Sequence, residues 1–240
     1  MTDTNLVSPA TQKLPLEVTV ATLSRLVINT SRRFVYPFAP ALSRALGVPL
    51  PAITSLIALN QFTGLVGPLF GPLSDRWGYR AMMVTGLALL AAGMLAAGIF
   101  PVYAVLAVAV FLGGLTKSIF DPALQAYVGE RVAIRRRGRV IGLIEMSWSG
   151  AALVGIPLVG LLADRLGWRA PFLVLGGLAL LATVMLRLVI SGDSRPQAGP
   201  GWASLARTWR DLFRSRVAVG ALLFGFCVAL ANDCVFAVYG

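Results

Sequence analysis

Seven long apolar segments constrain this chain more than any other feature. A helix needs about 20 apolar residues to cross the hydrocarbon core of a bilayer. The segments cover residues 17–46, 52–73, 81–100, 102–128, 140–163, 171–190 and 217–239. Only 13% of the 240 residues are charged, whereas a soluble domain carries about 25%. The sequence therefore predicts an all-α integral membrane protein that is embedded in the lipid bilayer. The apolar composition also excludes a disordered chain.

The basic residues predict the orientation of the segments. With the N-terminus in the cytoplasm, 14 lysines and arginines lie on the cytoplasmic side, three lie outside and four lie within segments. This asymmetry is typical of membrane proteins with positive loops inside. It accounts for most of the net charge of +11 without a nucleic-acid partner, and we expect a bacterial inner (plasma) membrane.

The residue types that are missing or rare exclude several chemistries. The chain has no histidine and two cysteines, and these (Cys227 and Cys234) lie in one apolar run. Histidine-based catalysis and a metal site are therefore not expected, nor is a phosphate-binding loop of a primary pump present. We expect no cofactor and no enzymatic activity.

Composition divides the chain into four parts. Residues 1–16 form a polar cytoplasmic tail, 17–190 a six-helix bundle, 191–216 a cytoplasmic central loop and 217–240 a seventh membrane helix. The loop runs from a Gly-Pro-Gly linker into a basic stretch with tryptophans at helical spacing, which favours an amphipathic helix on the inner leaflet. A calmodulin-type target helix is the alternative.

Two stretches of the bundle repeat each other. Gly67–Arg80 and Ile156–Arg169 agree at eight of fourteen positions with a constant offset of 89 residues. The offset spans three helices, so the two copies lie at opposite membrane faces. The sequence therefore predicts inverted three-helix repeats, about 17–100 and 102–190, as transporters use. Two similar but unrelated turns are the alternative.

Charged residues inside the segments need a partner or a water-filled cavity, because a charge at mid-bilayer costs about 3 kcal/mol or more. In the first segment, polar side chains share an arc of about 100°. They are Arg25, Asn29, Arg32, Arg33 and Tyr36. This stripe favours an anion-attracting wall, and Pro37 should kink the helix. The alternative is that the arginines pair with acids of neighbouring helices or reach toward the membrane surface.

Further polar groups lie in other segments. They are Gln61, Lys117, Asp121, Gln125, Glu145 and Asp233. Lys117, Asp121 and Gln125 share one helix face at a spacing of four residues. Lys117 and Asp121 are close enough to neutralise each other, which is the alternative to a binding role for either one.

The residues Gly71, Leu73, Asp75, Arg76, Gly78 and Arg80 form the pattern G-x-L-x-D-R-x-G-x-[RK]. With this loop, its second copy and the arginine-rich loop before Gly138, the chain resembles the major facilitator superfamily. The resemblance implies a bundle of six helices plus the first helix of a second bundle, and a C-terminal six-helix half is expected in the full protein. Two such halves would rock about a solute site between them.

The resemblance also implies roles for the residues. Helices 1, 2, 4 and 5 line the cavity in this family, so Asp121 and Glu145 become counter-ions of the helix 1 arginines. They and Asp233 become candidates for carrying a coupling proton. The loop residues Gly71, Asp75, Arg76, Gly78 and Arg80 would latch one access state, with Asp75 near the start of the following helix. A plain positive loop is the alternative.

The sequence thus favours a secondary active transporter for a small solute, with an anion favoured by the arginines and proton coupling left open. A multidrug/proton efflux antiporter is the first alternative. Residues 109–114 lack the early arginine of many proton-coupled members, and residues 156–161 keep only part of the antiporter pattern. A non-transporting membrane scaffold or sensor is the second alternative.

Overall fold

The structure is a computed structural model that describes residues 9–190 and 214–239. The chain divides into two compact units, residues 1–196 and 197–240. All regular structure in the described residues is helical. The helices are α1 (Pro9–Arg33), α2 (Val35–Leu46), α3 (Leu50–Phe62), α4 (Gly67–Trp77), α5 (Tyr79–Ile99), α6 (Tyr103–Arg131), α7 (Ile134–Gly150), α8 (Ile156–Leu166), α9 (Ala170–Val189) and α10 (Arg216–Tyr239).

Helices α1 and α2 together form the first predicted segment. Helix α1 runs from Pro9, the first described residue, and so extends ahead of the predicted start at Glu17. The break between α1 and α2 falls at Phe34, four residues after Thr30, whose carbonyl accepts the Phe34 N–H at 3.1 Å. Pro37 has no N–H to donate to the carbonyl of Arg33, which explains the interruption at this point.

Four helical spans within the described residues are long and apolar enough to cross a membrane. They are Tyr79–Ile99, Tyr103–Arg131, Ile134–Leu166 and Ala170–Val189. The first predicted segment carries three arginines, and the second is divided into two short helices, so neither meets the same standard of length and apolar content. The amphipathic helix predicted within 191–216 falls almost wholly on residues outside the described ranges.

Two membrane segments are interrupted at matching positions of the repeat. A 3₁₀ turn, Thr63–Val66, separates α3 from α4, and a π turn, Ala151–Gly155, separates α7 from α8. Each turn is followed by a helix of 11 residues with proline near its start. Because a proline cannot donate to the carbonyl four residues earlier, Pro68 and Pro157 explain why regular α-helical bonding fails there.

The six segments of the first unit pack as two interlocked groups of three. Helix α1 packs mainly on α7 and α9, which belong to the second repeat, and α6 packs mainly on α3, α4 and α5, which belong to the first. The third helices of the repeats, α5 and α9, pack on each other. Each repeat therefore supplies the partners of the other repeat's first helix, which fits an inverted-repeat fold.

Glycines permit the close approach of α5 and α9. A Cβ placed on Gly176 would lie 2.9 Å from the backbone nitrogen of Leu95. A Cβ on Gly98 would lie 3.2 Å from the backbone nitrogen of Leu173. The neighbouring aromatic rings of Phe34 and Phe172 meet edge to face at 5.0 Å, and both are buried. Small residues at such contacts are typical of helix packing in membranes.

The second unit contributes one described helix, α10, with 24 residues. It covers the predicted seventh segment. The side chain of Asp233, a predicted proton-coupling residue, lies outside the part of this helix whose side chains are described.

Candidate functional site

A cluster of charged side chains lies inside the six-helix unit and is centred on Arg25 of α1. Its side chain is 7% exposed. The Nε atom donates to Oδ1 of Asp121 on α6 at 3.0 Å, and Nη1 lies 2.7 Å from Oε1 of Glu145 on α7. Nη1 also donates to the carbonyl oxygen of Ile144 at 3.3 Å. One arginine thereby joins three helices from both repeats.

Asp121 is shared between two cations. Its Oδ2 atom lies 2.7 Å from Nζ of Lys117, one helical turn earlier on α6, and also accepts from Nη2 of Arg25 at 3.4 Å. The Lys117 ammonium donates to Oδ1 of Asn29 at 3.2 Å, and the Asn29 amide donates to Oγ of Ser147 at 3.3 Å. The Lys117–Asp121 pair and the Arg25–Asp121 pair therefore coexist instead of excluding each other.

Arg32 is held by a different partner. Its Nε and Nη2 atoms donate to Oδ1 of Asn60 on α3 at 3.1 and 2.7 Å. The Asn60 amide in turn donates to the carbonyl oxygen of Val110 at 2.7 Å, and Asn60 is only 3% exposed. The amide is thus fixed with its oxygen toward Arg32, and it orients the guanidinium.

Arg33 faces a third neighbour. Its guanidinium carbon lies 4.0 Å from the centre of the Trp148 ring on α7, a cation–π contact. Among the described contacts, Arg25 reaches α6 and α7, Arg32 reaches α3, and Arg33 stacks on α7.

A pocket of about 270 Å³ adjoins this cluster. Its lining is polar side chains, glycines and one proline: Arg32, Gln61, Thr63, Gly64, Gly67, Gly114, Lys117, Ser118, Asp121 and Pro122. Two cations and one carboxylate thus face the same space. Since Gln61 and the hydroxyl groups are neutral, the lining carries one excess positive charge.

A second, smaller hollow lies on the other side of Asp121. It has a volume of about 10 Å³ and is lined by Arg25, Asp121, Gln125 and Glu145 together with four apolar residues. That volume is at the lower limit for one water molecule. Half of the Glu145 side chain is exposed, and Asp121 lines both hollows.

The remaining predicted cavity residues lie at the edges of the cluster. Gln61 and Gln125 are exposed on α3 and α6, and each lines one of the two hollows. Tyr36 is half-buried on α2, beyond the helix break.

The loop motif has one feature that corrects the sequence prediction. Asp75 lies in the last turn of α4, which continues to Trp77, and not at the start of the next helix. A carboxylate at a helix C-terminus is not stabilised by the helix dipole, so that argument does not apply to Asp75 within this unit. Gly71 also lies inside α4, and Arg76 is exposed.

Gly78 and Arg80 complete the motif. Gly78 makes the reversal from α4 to α5 with φ 87° and ψ 143°, a conformation that requires glycine. Arg80 donates from Nη2 to the carbonyl oxygen of Arg187 at the end of α9. This arginine therefore ties the motif to the other repeat.

Three neutral residues organise the cluster. Asn60, a polar group that the sequence already offered beside Gln61, orients Arg32. The sequence did not single out Ser147, which holds Asn29, or Trp148, which stacks on Arg33. The buried Ile144 and Ser147 mark the inner face of α7.

These features define a polytopic helical membrane protein of inverted-repeat design with ionised groups in its interior. The chain belongs to the Major Facilitator Superfamily, whose family model matches residues 21–239.

Similar proteins agree with this assignment. The chain is 30% identical to the uncharacterized MFS-type transporter YwfA of Bacillus subtilis, over 66% of this chain and 39% of that protein. It is 30% identical to the multidrug resistance protein MdtG of Serratia proteamaculans, over 74% of this chain and 44% of that protein. A crystal structure of the peptide transporter POT with alafosfalin matches with a TM-score of 0.68 and 17% identity, over 88% of this chain and 46% of that one. The chain thus spans less than half the length of these relatives.

Proposed function

We propose that the protein is a secondary active transporter that moves a small solute by alternating access. The observation that carries this proposal is the charge cluster joining α1, α3, α6 and α7 beside a polar pocket of about 270 Å³. Charges inside a membrane protein are costly and mark solute or ion pathways. The family membership supports the same function. The basic residues support a plasma-membrane protein with its N-terminus in the cytoplasm.

We further propose that the solute is an anion. The pocket presents Arg32, held by a neutral amide, and Lys117, whose carboxylate partner Asp121 is shared with Arg25. Among the described residues of the cluster, four cations (Arg25, Arg32, Arg33 and Lys117) face two carboxylates. The planar guanidinium of an arginine suits two-bonded recognition of a carboxylate or phosphate group.

The proposal of proton coupling is based on Asp121, which is shared between Lys117 and Arg25. An anion that binds Lys117 competes with Asp121 for the ammonium group. Released from Lys117, Asp121 retains one of its two cations, Arg25, and binds a proton more readily than before. Arg25 also pairs with Glu145 at 2.7 Å. Asp121 and Glu145 are therefore the proposed proton-carrying groups, with Asp233 of α10 as a further candidate from the sequence.

The decisive experiment measures proton movement in inside-out vesicles that carry the protein produced from its complete reading frame. Organic anions and cationic dyes are added in turn. We expect a proton signal with an anion that is lost in Asp121→Asn and in Glu145→Gln. Glu130→Gln is the matched control, because Glu130 is an exposed acid that accepts from the Tyr79 hydroxyl outside the cluster. A proton signal unchanged in both cluster variants would refute the coupling role.

Arg32 tests the solute site separately. We expect Arg32→Ala to abolish uptake or efflux while membrane insertion stays intact. Transport at the wild-type rate by this variant would show that Arg32 is structural. The absence of flux with every solute class in the wild-type protein would favour a membrane scaffold or sensor instead.

Multidrug efflux is the second candidate, and the similarity to MdtG favours it. A proton signal with cationic dyes and none with organic anions would establish multidrug efflux. The positive excess in the pocket and the sequence departures at residues 109–114 and 156–161 speak against it.

The loop motif is proposed as a latch between access states. Asp75→Ala should slow the change of access more than it weakens solute binding, because a latch acts on the exchange between access states. If only binding suffers, the latch role is wrong and the motif is a plain positive loop.

A further inference from the structure

Three exposed arginines lie together where the chain turns between α6 and α7. They are Arg135, Arg136 and Arg139, all on the first turns of α7. Both helices are membrane-spanning candidates, and only residues 132 and 133 separate them. This short connection places the three arginines at the surface of the bilayer.

The three side chains share one face of α7. At 100° per residue they fall within an arc of about 100°. Arg137 falls on the opposite side and is used internally. Its Nη2 atom donates to the carbonyl oxygen of Gly129, and its Nε atom donates to that of Val132 at 3.3 Å. Arg137 thus fastens the start of α7 to the end of α6 and holds the other three arginines outward.

No acid balances this face within the part of the chain that the structure describes. Arg135, Arg136 and Arg139 take part in none of its ion pairs. The nearest acid along the chain, Glu130, accepts a hydrogen bond from the Tyr79 hydroxyl at 2.9 Å. The positive charge therefore faces outward at the membrane surface.

An apolar side chain accompanies the arginines. Ile134 is 81% exposed and begins the same helix, and Leu143 is 47% exposed farther along it. A ligand that suits this surface combines an anionic group with hydrocarbon. A free phosphate ion would use the arginines alone.

We propose that Arg135, Arg136 and Arg139 bind the headgroups of anionic phospholipids in the adjoining leaflet, with Ile134 in contact with the acyl region. The surface potential of anionic lipids attracts each nearby arginine. Lipid bound here would stabilise the α6–α7 connection through the Arg137 hydrogen bonds. This proposal does not depend on the solute or on the coupling ion.

The test measures the binding of phosphatidylglycerol and of phosphatidylcholine to the purified protein in detergent, by native mass spectrometry. We expect the triple variant R135Q/R136Q/R139Q to bind phosphatidylglycerol about a hundredfold more weakly, at about fivefold per arginine. Phosphatidylcholine binding should not change. The triple lysine variant R135K/R136K/R139K should keep binding within a few fold, since it keeps the charge.

Arg44→Gln and Arg165→Gln together serve as the control, because both arginines are exposed at the other end of the bundle. Equal losses in the control and in the triple glutamine variant would overturn the proposal, as would unchanged phosphatidylglycerol binding in the latter. If the triple variant fails to fold, Arg136→Gln alone decides. A fivefold loss supports the site and no loss refutes it.

Discussion

The guanidinium of Arg169 donates from Nε to the carbonyl oxygen of Gly98 at 2.8 Å. Its counterpart in the first repeat, Arg80, donates to the carbonyl oxygen of Arg187. Donors and acceptors are both separated by the repeat offset of 89 residues. The arginine at the start of α5 therefore caps the end of α9, and the arginine at the start of α9 caps the end of α5.

This reciprocal capping leads to a first prediction. Arg169→Ala should lower the free energy of unfolding in detergent by about 1 kcal/mol, because it removes charge-assisted bonds to the last carbonyl groups of α5. The second of these bonds runs from Nη2 to the carbonyl oxygen of Ile99 at 2.6 Å. Thermal unfolding of the purified variant measures the effect.

Arg165→Ala is the matched control for that change. Arg165 is an exposed arginine one turn earlier, and none of the hydrogen bonds described for the chain involves it. Equal melting temperatures for the two variants would show that the Arg169 cap contributes nothing.

A second prediction concerns the contact between α5 and α9. Gly176→Ala should destabilise the protein by about 1–3 kcal/mol, because the new Cβ would lie 2.9 Å from the backbone of Leu95. Gly177→Ala is the control, since a Cβ there meets nothing within 4 Å and should be neutral or stabilising. Chemical unfolding of both variants in the same detergent compares them directly. An equally stable Gly176→Ala protein would mean that the helices separate without cost.

A third prediction compares two glycines with positive φ. Gly47 has φ 64° and ψ 29°, the left-handed helical region that asparagine also adopts. Gly78 has φ 87° and ψ 143°, close to a region restricted to glycine. Gly78→Asn should therefore cost about 1–3 kcal/mol of stability, and Gly47→Asn should cost much less. Melting temperatures in the opposite order would refute the backbone argument.

A fourth prediction tests the shared carboxylate. Asp121→Asn leaves the half-buried ammonium of Lys117 without its ion-pair partner, so the cost should be below the about 3–5 kcal/mol of a fully buried pair. The double variant K117M/D121N removes both charges of that pair, while Arg25 keeps Glu145. It should recover part of the lost stability. The free energies of unfolding of the single and double variants test this prediction. A double variant less stable than Asp121→Asn would contradict it.

Much of this fold can be predicted from periodic patterns in the sequence. The offset between Gly67–Arg80 and Ile156–Arg169 predicts equivalent local structures, and both copies have a glycine with φ 87° two residues before their end. The prediction of a kink near Pro37 rests on a missing donor, and α1 ends four residues before it. Local rules suffice for such features because the atoms involved lie within one or two turns.

The partners of the interior charges could not be derived in the same way. Helical spacing brings Lys117 and Asp121 together, since they lie one turn apart on α6. It does not show that Arg25 reaches both Asp121 and Glu145, because that depends on how three helices are rotated about their axes. The roles of Asn60 and Ser147 were missed for the same reason. Neutral side chains give no electrostatic signal in the sequence, although they orient the charged ones.

The 3₁₀ and π turns give the equivalent segments of the two repeats different lengths along the helix axis. A 3₁₀ turn rises by about 2.0 Å per residue and an α-helix by about 1.5 Å, so Thr63–Val66 stretches its segment. The π turn at Ala151–Gly155 is wider and more compact along the axis. On the stretched side a Cβ at Gly64 would meet nothing within 4 Å, whereas on the compact side Gly155 lies against the Thr30 side chain. The two-fold symmetry between the repeats therefore does not hold at the pocket. The bundle is pseudo-symmetric, but the two sides of its cleft differ.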